Sequence, residues 1–282
     1  MIVTSAFSGI GGIDLGLSAA IPEAEIRYQV EIDPYCRKVL EKHWPKATRY
    51  NDIQTVKPAD IEGTTCIIAG VPCQDTSVAS PTGSGLEGER SGLWREIKRL
   101  IRTVPTVQSL IVENVPGLLG RGMGTILGDI HESGFSYAEW DCLSSAAIGA
   151  CHRRDRIWII ATRDTPHSYS GEGWERFARG EEEERETIIG SSKGTYSVNA
   201  TNTVSPGLSE RERMEGSWAL TAITRNTGWD TEPPVPTLDD GLPRRLVNRR
   251  DKIKALGNSV QPQVAYYVGL RLKYLMKEAS DV

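Results

Sequence analysis

Cys73 is the side chain in this sequence best suited to covalent chemistry. It follows Gly70-Val71-Pro72 and precedes Gln74-Asp75, directly after the short apolar run Cys66-Ile67-Ile68-Ala69. A lone Cys is ordinarily a small buried hydrophobe. One presented on a Pro turn at a strand end, among polar neighbours, can instead act as a thiolate nucleophile. No second Cys or His stands near it at ligand spacing, so zinc is not expected. Three further clusters have the right residue types for a site: Phe7-Ser8-Gly9-Ile10-Gly11-Gly12, Glu113-Asn114-Val115 and Gly257-Asn258-Ser259-Val260. Each also has a purely structural reading, as a tight turn, a surface acid and a helix cap.

The elements that must position these residues alternate in type. Met1 to Phe7 reads as a strand, followed by a Gly-rich turn and a helix through Ile13 to Ala20. Ile26 to Glu31 is a second strand. Pro34 to Leu40 suits a helix, with Asp33 as N-cap and Pro34 at its first position. Cys66 to Ala69 is a strand. Ser91 to Val104 is a helix with Leu93, Ile97, Leu100, Ile101 and Val104 on one side. Leu110 to Val112 and Arg156 to Ala161 are strands, and Pro262 to Leu275 is a closing helix. Strands alternating with helices predict an α/β fold whose mostly parallel sheet is covered on both faces. Ligands then gather at the carboxyl ends of the strands, where all the singled-out residues are expected to fall.

Within that frame the glycine cluster opens a helix after the first strand. Its pattern, Gly9-x-Gly11-Gly12-x-x-x-Gly16, is not the dinucleotide fingerprint, and no Lys-Ser or Lys-Thr pair follows to make a phosphate loop. Glycines there let a ligand approach the backbone. Glu31 at the second strand's end is suited to accept from a ribose, and Asp52 to meet an adenine amino group. In His152-Arg153-Arg154-Asp155-Arg156, Arg154 and Arg156 share one side of the strand that follows. Paired guanidiniums orient a carboxylate, a phosphate or a nucleotide edge. Pro81 to Arg90 is Gly-rich and reads as a loop or lid behind Cys73.

Composition narrows the classes. The chain has 282 residues, 39% hydrophobic and 25% charged, which fits one large core plus a small second domain. No segment approaches the roughly 18 apolar residues of a membrane helix. The start runs straight into a motif with no basic leader, so no signal peptide is expected. Five Cys without paired spacing read as free thiols in a reducing compartment. The net charge of -4 argues mildly against nucleic-acid binding, but its distribution is uneven. Glu181 to Glu186 holds five acids and one Arg, whereas Arg244 to Lys254 holds six basic residues and one acid. From Arg163 to Pro243 the sequence turns rich in Ser, Thr, Gly, Glu and Pro, as a separate small domain or long insertion would.

These clusters, in this order, resemble the DNA (cytosine-5) methyltransferase family. Phe7, Ser8, Gly9, Ile10, Gly11 and Gly12 resemble its first S-adenosylmethionine motif. Glu31 with Ile32 resembles the ribose-binding acid and its neighbour, and Asp52 with Ile53 the adenine-contacting pair. Pro72-Cys73-Gln74 matches the Pro-Cys motif, and Ser91-Gly92-Leu93 the start of the helix flanking the cofactor. Glu113-Asn114-Val115, Arg154 with Arg156, and Asn258-Ser259-Val260 match three later motifs. The likeness covers about residues 1 to 163 and 246 to 282. This sequence departs from the pattern at Cys151-His152, where the family commonly has Pro-Gln, and at Thr76-Ser77, where it often has Phe-Ser. Its ninth motif is reduced, to about Val235 to Arg250, and its variable segment is short.

The resemblance implies a Rossmann-like S-adenosylmethionine-dependent methyltransferase fold with a small target-recognition domain. The implied division is a catalytic and cofactor-binding domain over 1–163, a variable recognition domain over 164–245, and a return to the first domain over 246–282. Cys73, Glu113, Arg154 and Arg156 are the implied catalytic residues. The implied cofactor contacts are those named above together with Pro72 and Leu93. Cys73 thiolate would add to C6 of a flipped cytosine while Glu113 holds N3 and the exocyclic amine. Arg154 would hold the base carbonyl or help fix Glu113, and Arg156 would support the same site or a phosphate. C5 would then take a methyl group from S-adenosylmethionine, leaving S-adenosylhomocysteine, with no metal. Gln74, Ser77, Arg90, Arg225, Asn226, Arg244 and Arg245 are expected to contact DNA. Duplex DNA is the implied partner of a monomer without membrane attachment, cytoplasmic in a prokaryote or encoded by a virus. A cognate restriction endonuclease acting on the same site without a stable complex is compatible with this reading. The alternatives are a tRNA cytosine-5 methyltransferase of the same fold and an inactive DNA-binding relative.

Overall fold

β-Branched runs bounded by turns make the strands, and their burial decides how they stack. The computed structural model describes residues 1–72, 92–148, 150, 152, 154–164 and 249–280. Its strands are β1 (Ile2–Ala6), β2 (Glu25–Val30), β3 (Thr48–Tyr50), β4 (Cys66–Gly70), β5 (Ser109–Asn114), β6 (Tyr137–Ser144) and β7 (Asp155–Thr162). They form one sheet among the described residues, in the order β3-β2-β1-β4-β5-β7-β6. The first five are parallel; β7 runs antiparallel between β5 and β6. Chain order reverses at β1, which has β2 on one side and β4 on the other. That reversal opens a crevice at the strands' carboxyl ends, where α/β sheets bind ligands.

The helices are α1 (Gly12–Ala20), α2 (Pro34–His43), α3 (Gly92–Thr103), α4 (Leu118–Arg121), α5 (Met123–Glu132), α6 (Arg249–Asn258) and α7 (Pro262–Ser280). Alternate strand residues feed two cores. Ile67, Leu110, Val112 and Ile159 pack against α3 and α5, through Trp94, Ile97, Leu100, Ile126 and Ile130. Ile68, Ile111, Trp158 and Ile160 pack against α1 and α7, through Leu17, Val264, Val268 and Leu272. The result is a helix–sheet–helix sandwich, as the alternation predicts.

Local chemistry explains the helix that follows β2. Asp33 accepts from the backbone N–H groups of Tyr35 and Cys36 (2.9 and 3.3 Å), and Pro34 occupies the first turn of α2. Contact between α1 and α7 depends on Gly16. A Cβ there would lie 2.4 Å from the Pro262 carbonyl oxygen and 2.6 Å from Ala265 Cβ. Only the missing side chain lets the C-terminal helix lie this close to the first one. At its other end α7 is stapled to edge strand β6. Arg271 donates twice to Glu139, at 2.8 Å each, and Tyr137 donates to the same carboxylate at 2.6 Å.

Several elements depart from the sequence-based expectation. β3, β6, α4 and α5 were not anticipated, and α7 runs past Leu275 to Ser280. In α3 the residue that fills the core beside Ile97 is Trp94, 3% exposed, while Leu93 is only partly buried. β7 is antiparallel, so its amino end, not its carboxyl end, reaches the ligand edge of the sheet. Cys36, Cys66 and Cys142 are free thiols, the first two buried and Cys142 half-buried. The segments 73–91 and 165–248 lie outside the described residues, and with them the expected loop behind Cys73 and the expected recognition domain.

Asp14 shows how firmly α1 is tied to the sheet. Its carboxylate is fully buried and accepts from Ser5 Oγ on β1 (3.0 Å) and Gln29 Nε2 on β2 (3.3 Å). Burial outweighs those bonds and raises its pKa from 3.8 to about 6. A folded-state pKa above the unfolded value means stability that is present in acid and lost as pH rises through about 6. A shift of about two units corresponds to roughly 3 kcal/mol. Wild type should therefore lose about that much stability relative to Asp14→Asn between about pH 4 and pH 7. Denaturant titrations of both proteins across that range check it; a constant difference refutes it.

Candidate active site

The loop after β1 begins the site. Phe7 adopts a left-handed backbone (φ 55), unusual for a bulky residue and a mark of a constrained turn. Ser8 Oγ donates to the carbonyl oxygen of Ser5 at 2.9 Å and fastens the turn from below. Gly9 N–H donates to Glu31 Oε2 at 2.7 Å, while Glu31 Oε1 accepts from the N–H of Asp33 at 2.7 Å. One carboxylate thus holds the glycine loop and the β2–α2 connection together. A carboxylate has about four acceptor positions, so capacity remains for a ligand's hydroxyls.

These residues form one wall of a cleft of 640 Å³ along the ligand edge of the sheet. Phe7, Gly9, Glu31, Ile32, Asp52 and Ile53 line it on the β1–β3 side. Ile32 is 74% exposed there, an apolar side chain held at the wall. Pro72, Leu93, Glu113, Arg154 and Arg156 line it further along the sheet. Lys254, Ala255, Gly257 and Asn258 contribute from α6. The volume lies within the ~300–1,000 Å³ typical of small-molecule sites.

Glu113 is the acid at the centre of this edge. It lies beside Gly70 of β4 in register and opposite Trp158 of β7. Arg156, two residues before Trp158, is therefore its diagonal neighbour on the same face. Arg156 Nε meets Glu113 Oε1 at 2.9 Å. Among the described residues no donor reaches Oε2, which faces Gly70, 3.6 Å from where a Cβ would stand. Burial pushes the Glu113 carboxyl above the ordinary carboxylate range, and Arg156 and Arg154 only partly offset it. An acid in that state can hold a proton and give it up at a fixed point.

Arg154 does something else. Its Nη2 donates to the carbonyl oxygens of Gly257 (2.9 Å) and Ser259 (2.5 Å), at the end of α6. Of the two arginines it is Arg156 that pairs directly with Glu113, because the pleat puts it diagonal to the acid. Both arginines do line one cleft, as their spacing requires.

The glycines also divide their work differently from the expectation. Of the motif Phe7 to Gly12, only Phe7 and Gly9 line the cleft; Ser8, Ile10, Gly11 and Gly12 do not. A Cβ on Gly12 would lie 2.5 Å from the Val260 carbonyl oxygen, so this glycine admits the C-terminal turn rather than a ligand. Ser259 and Val260 likewise serve that turn and are not part of the wall. Sequence reasoning missed Asp33, Lys254 and Ala255 as lining residues. Lys254 was legible only as part of a basic run; its ion pair with Asp33, at 2.7 Å across the cleft, needed the fold. Cys36 also lines the cleft, but burial and the nearby carboxylates push its thiol up to about 12, which makes it a poor nucleophile. Cys73, Gln74, Ser77, Arg90, Arg225, Asn226, Arg244 and Arg245 lie outside the described residues. Pro72, immediately before Cys73 in the chain, is on the cleft wall.

Known proteins agree with this geometry. The C-5 cytosine-specific DNA methylase pattern matches residues 1–226. Type II methyltransferase M2.BsuMI of Bacillus subtilis (strain 168) is 29% identical over 327 residues, covering 100% of this chain and 77% of that protein. Type II methyltransferase M.NgoBV of Neisseria gonorrhoeae is 29% identical over 171 residues, covering 55% of this chain but 40% of its own length. The S. pombe Dnmt2 methyltransferase structure superposes with a TM-score of 0.59 at 17% identity, over 98% of this chain and 99% of that one, a likeness of fold. With the pattern spanning most of its length, this chain belongs to the C-5 cytosine-specific DNA methylase family.

Proposed function

We propose that this protein is a DNA (cytosine-5-)-methyltransferase, moving a methyl group from S-adenosylmethionine to C5 of a cytosine flipped out of duplex DNA. The observation that carries the reading is that one cleft holds two chemically distinct ends. At one end the Glu31 carboxylate, the glycine loop and exposed Ile32 suit a nucleoside with a ribose and an apolar face. At the other end Glu113, paired with Arg156, suits a base edge that offers a ring nitrogen and an amine. The donor set and the volume therefore fit the cofactor. When bound, S-adenosylmethionine supplies an electrophilic methyl group.

The protein's own residues do the rest in this reading. Cys73 thiolate adds to C6, forming the S–C6 bond, and the ring electrons move toward C5 and N3. Glu113 holds N3 and donates a proton there, a role its raised pKa favours. Arg156 keeps the Glu113 side chain in place. C5 takes the methyl group, S-adenosylhomocysteine departs, a base removes the C5 proton as the S–C6 bond breaks to release the thiolate, and N3 returns its proton to Glu113. A cytosine must leave the stack to meet these groups. Residues 164–245 act as the DNA-reading domain, with Arg225, Asn226, Arg244 and Arg245 contacting bases or phosphates and Gln74, Ser77 and Arg90 approaching the strand from the catalytic side. The protein works as a cytoplasmic monomer and is compatible with a cognate restriction endonuclease that reads the same site.

Two outcomes are expected. With duplex DNA and labelled S-adenosylmethionine, label appears in 5-methyldeoxycytidine, and Cys73→Ala abolishes it while S-adenosylhomocysteine still binds. Label in tRNA cytosine alone would instead establish the RNA alternative, and cofactor binding without turnover on any substrate the inactive one. In Glu113→Gln, single-turnover transfer falls by about 10²–10⁴. Wild type should lose rate as pH rises through the raised Glu113 pKa and its proton is lost, whereas the variant should lack that limb. A variant retaining the same limb would assign the acid to another group.

A further inference from the structure

The paired arginines line one cleft but hold different partners. Arg156 holds the acid. Arg154 holds a turn that is 103 and 105 residues away in sequence, through the carbonyl oxygens of Gly257 and Ser259. The last carbonyls of a helix have no partner within it and favour a nearby cation. α6 carries no basic residue in its own last turn. Arg154 supplies that charge from the sheet. Asn258, which lies between the two bound carbonyls, lines the cleft with Gly257 and Ala255.

A second contact also ties α6 to the cleft, the ion pair between Lys254 and Asp33. Lys254 is 66% exposed in that pair. Exposed pairs of this kind contribute little, because water screens them and two long side chains must be ordered. Charge-assisted bonds from a half-buried guanidinium to two carbonyls are stronger and better directed. Of the two polar ties on the C-terminal wall of the cleft, that of Arg154 is the stronger.

We propose that Arg154 is a positioning residue for the cofactor side of the cleft, holding the Gly257–Ser259 turn so that its Gly257 and Asn258 form a wall for S-adenosylmethionine, rather than touching the flipped base. This rests on the methyltransferase reading. It assigns the two arginines separate duties: Arg154 sets cofactor affinity, and Arg156 sets the chemical step through Glu113.

Calorimetric titration with S-adenosylhomocysteine tests it without any DNA. Arg154→Met should weaken binding about tenfold, equivalent to 1.4 kcal/mol. Arg154→Lys should recover part of the loss, since both bonds come from the single Nη2 and an ammonium on a shorter, more strongly hydrated side chain can replace them in part. Arg156→Met should stay within about twofold of wild type. In steady-state assays Arg154→Lys should raise the KM for S-adenosylmethionine more than it lowers kcat, and Arg156→Lys the reverse. A merely structural role would lower the melting temperature without producing this split. Unchanged affinity in Arg154→Met overturns the inference alone, as does an Arg154→Lys protein whose loss lies in kcat. If wild type binds no S-adenosylhomocysteine, the methyltransferase reading fails and takes the inference with it.

Discussion

A carboxylate buried at the end of a central strand has to be compensated, and the Glu113–Arg156 pair does this at the point where the sheet meets the cleft. At 2.9 Å the attraction is worth about 6 kcal/mol if the effective dielectric is about 20. Taking two charges out of water costs several kcal/mol for each ion. The two terms nearly cancel, so the pair adds little net stability. What it provides is geometry: Oε1 is occupied by Arg156, and Oε2 lies beside Gly70. The compensation is incomplete, which is why burial still dominates and the carboxyl sits above its ordinary range.

Only the antiparallel insertion of β7 makes this pair. A parallel strand beside β5 would bring its carboxyl end to the ligand edge, and the amino-terminal arginines would sit at the opposite edge. Running β7 the other way places Arg154 and Arg156 at the cleft in the first turn of the strand. β6 then has to cover the outer side of β7, and Glu139 on β6 is in turn neutralised by Arg271 from α7. The far edge of the sheet is thus fixed by the same helix that closes against α1.

The sequence made one half of this architecture easy to read and hid the other. The parallel strands β1, β2, β4 and β5 are short β-branched runs ended by glycine, acid or proline, and α2 declares itself through Asp33 and Pro34. Of the residues that line the cleft from those strand ends, Phe7, Gly9, Glu31 and Glu113 were nameable from position, and Pro72 came with the family resemblance. β6 was legible as well, since Ala138-Glu139-Trp140-Asp141-Cys142 alternates apolar and polar residues as a half-buried strand does, although it was not among the expected elements. What the alternation does not announce is that its polar face is buried too, with Glu139 neutralised by Arg271. The direction of β7 was hidden for the same reason: a fully buried strand looks alike in both orientations. Which arginine meets Glu113 then followed from a diagonal across the β5–β7 pairing, information that resides in register and not in spacing.

The glycine motif carries this distinction between local and tertiary demands to a single turn. Gly9 faces the ligand side and gives its N–H to Glu31. Gly12, three residues on, is small because the Val260 carbonyl occupies the space its Cβ would need, and Gly16, one turn later, admits Pro262 and Ala265. A run that reads as one ligand-binding loop is therefore two surfaces back to back, one for a small molecule and one for the returning C-terminal segment. The returning turn touches Gly12 with Val260 and Arg154 with the carbonyls of Gly257 and Ser259. The glycine loop and Arg154 are thus braced by the same four residues, Gly257 to Val260, so displacement of that turn would disturb both together.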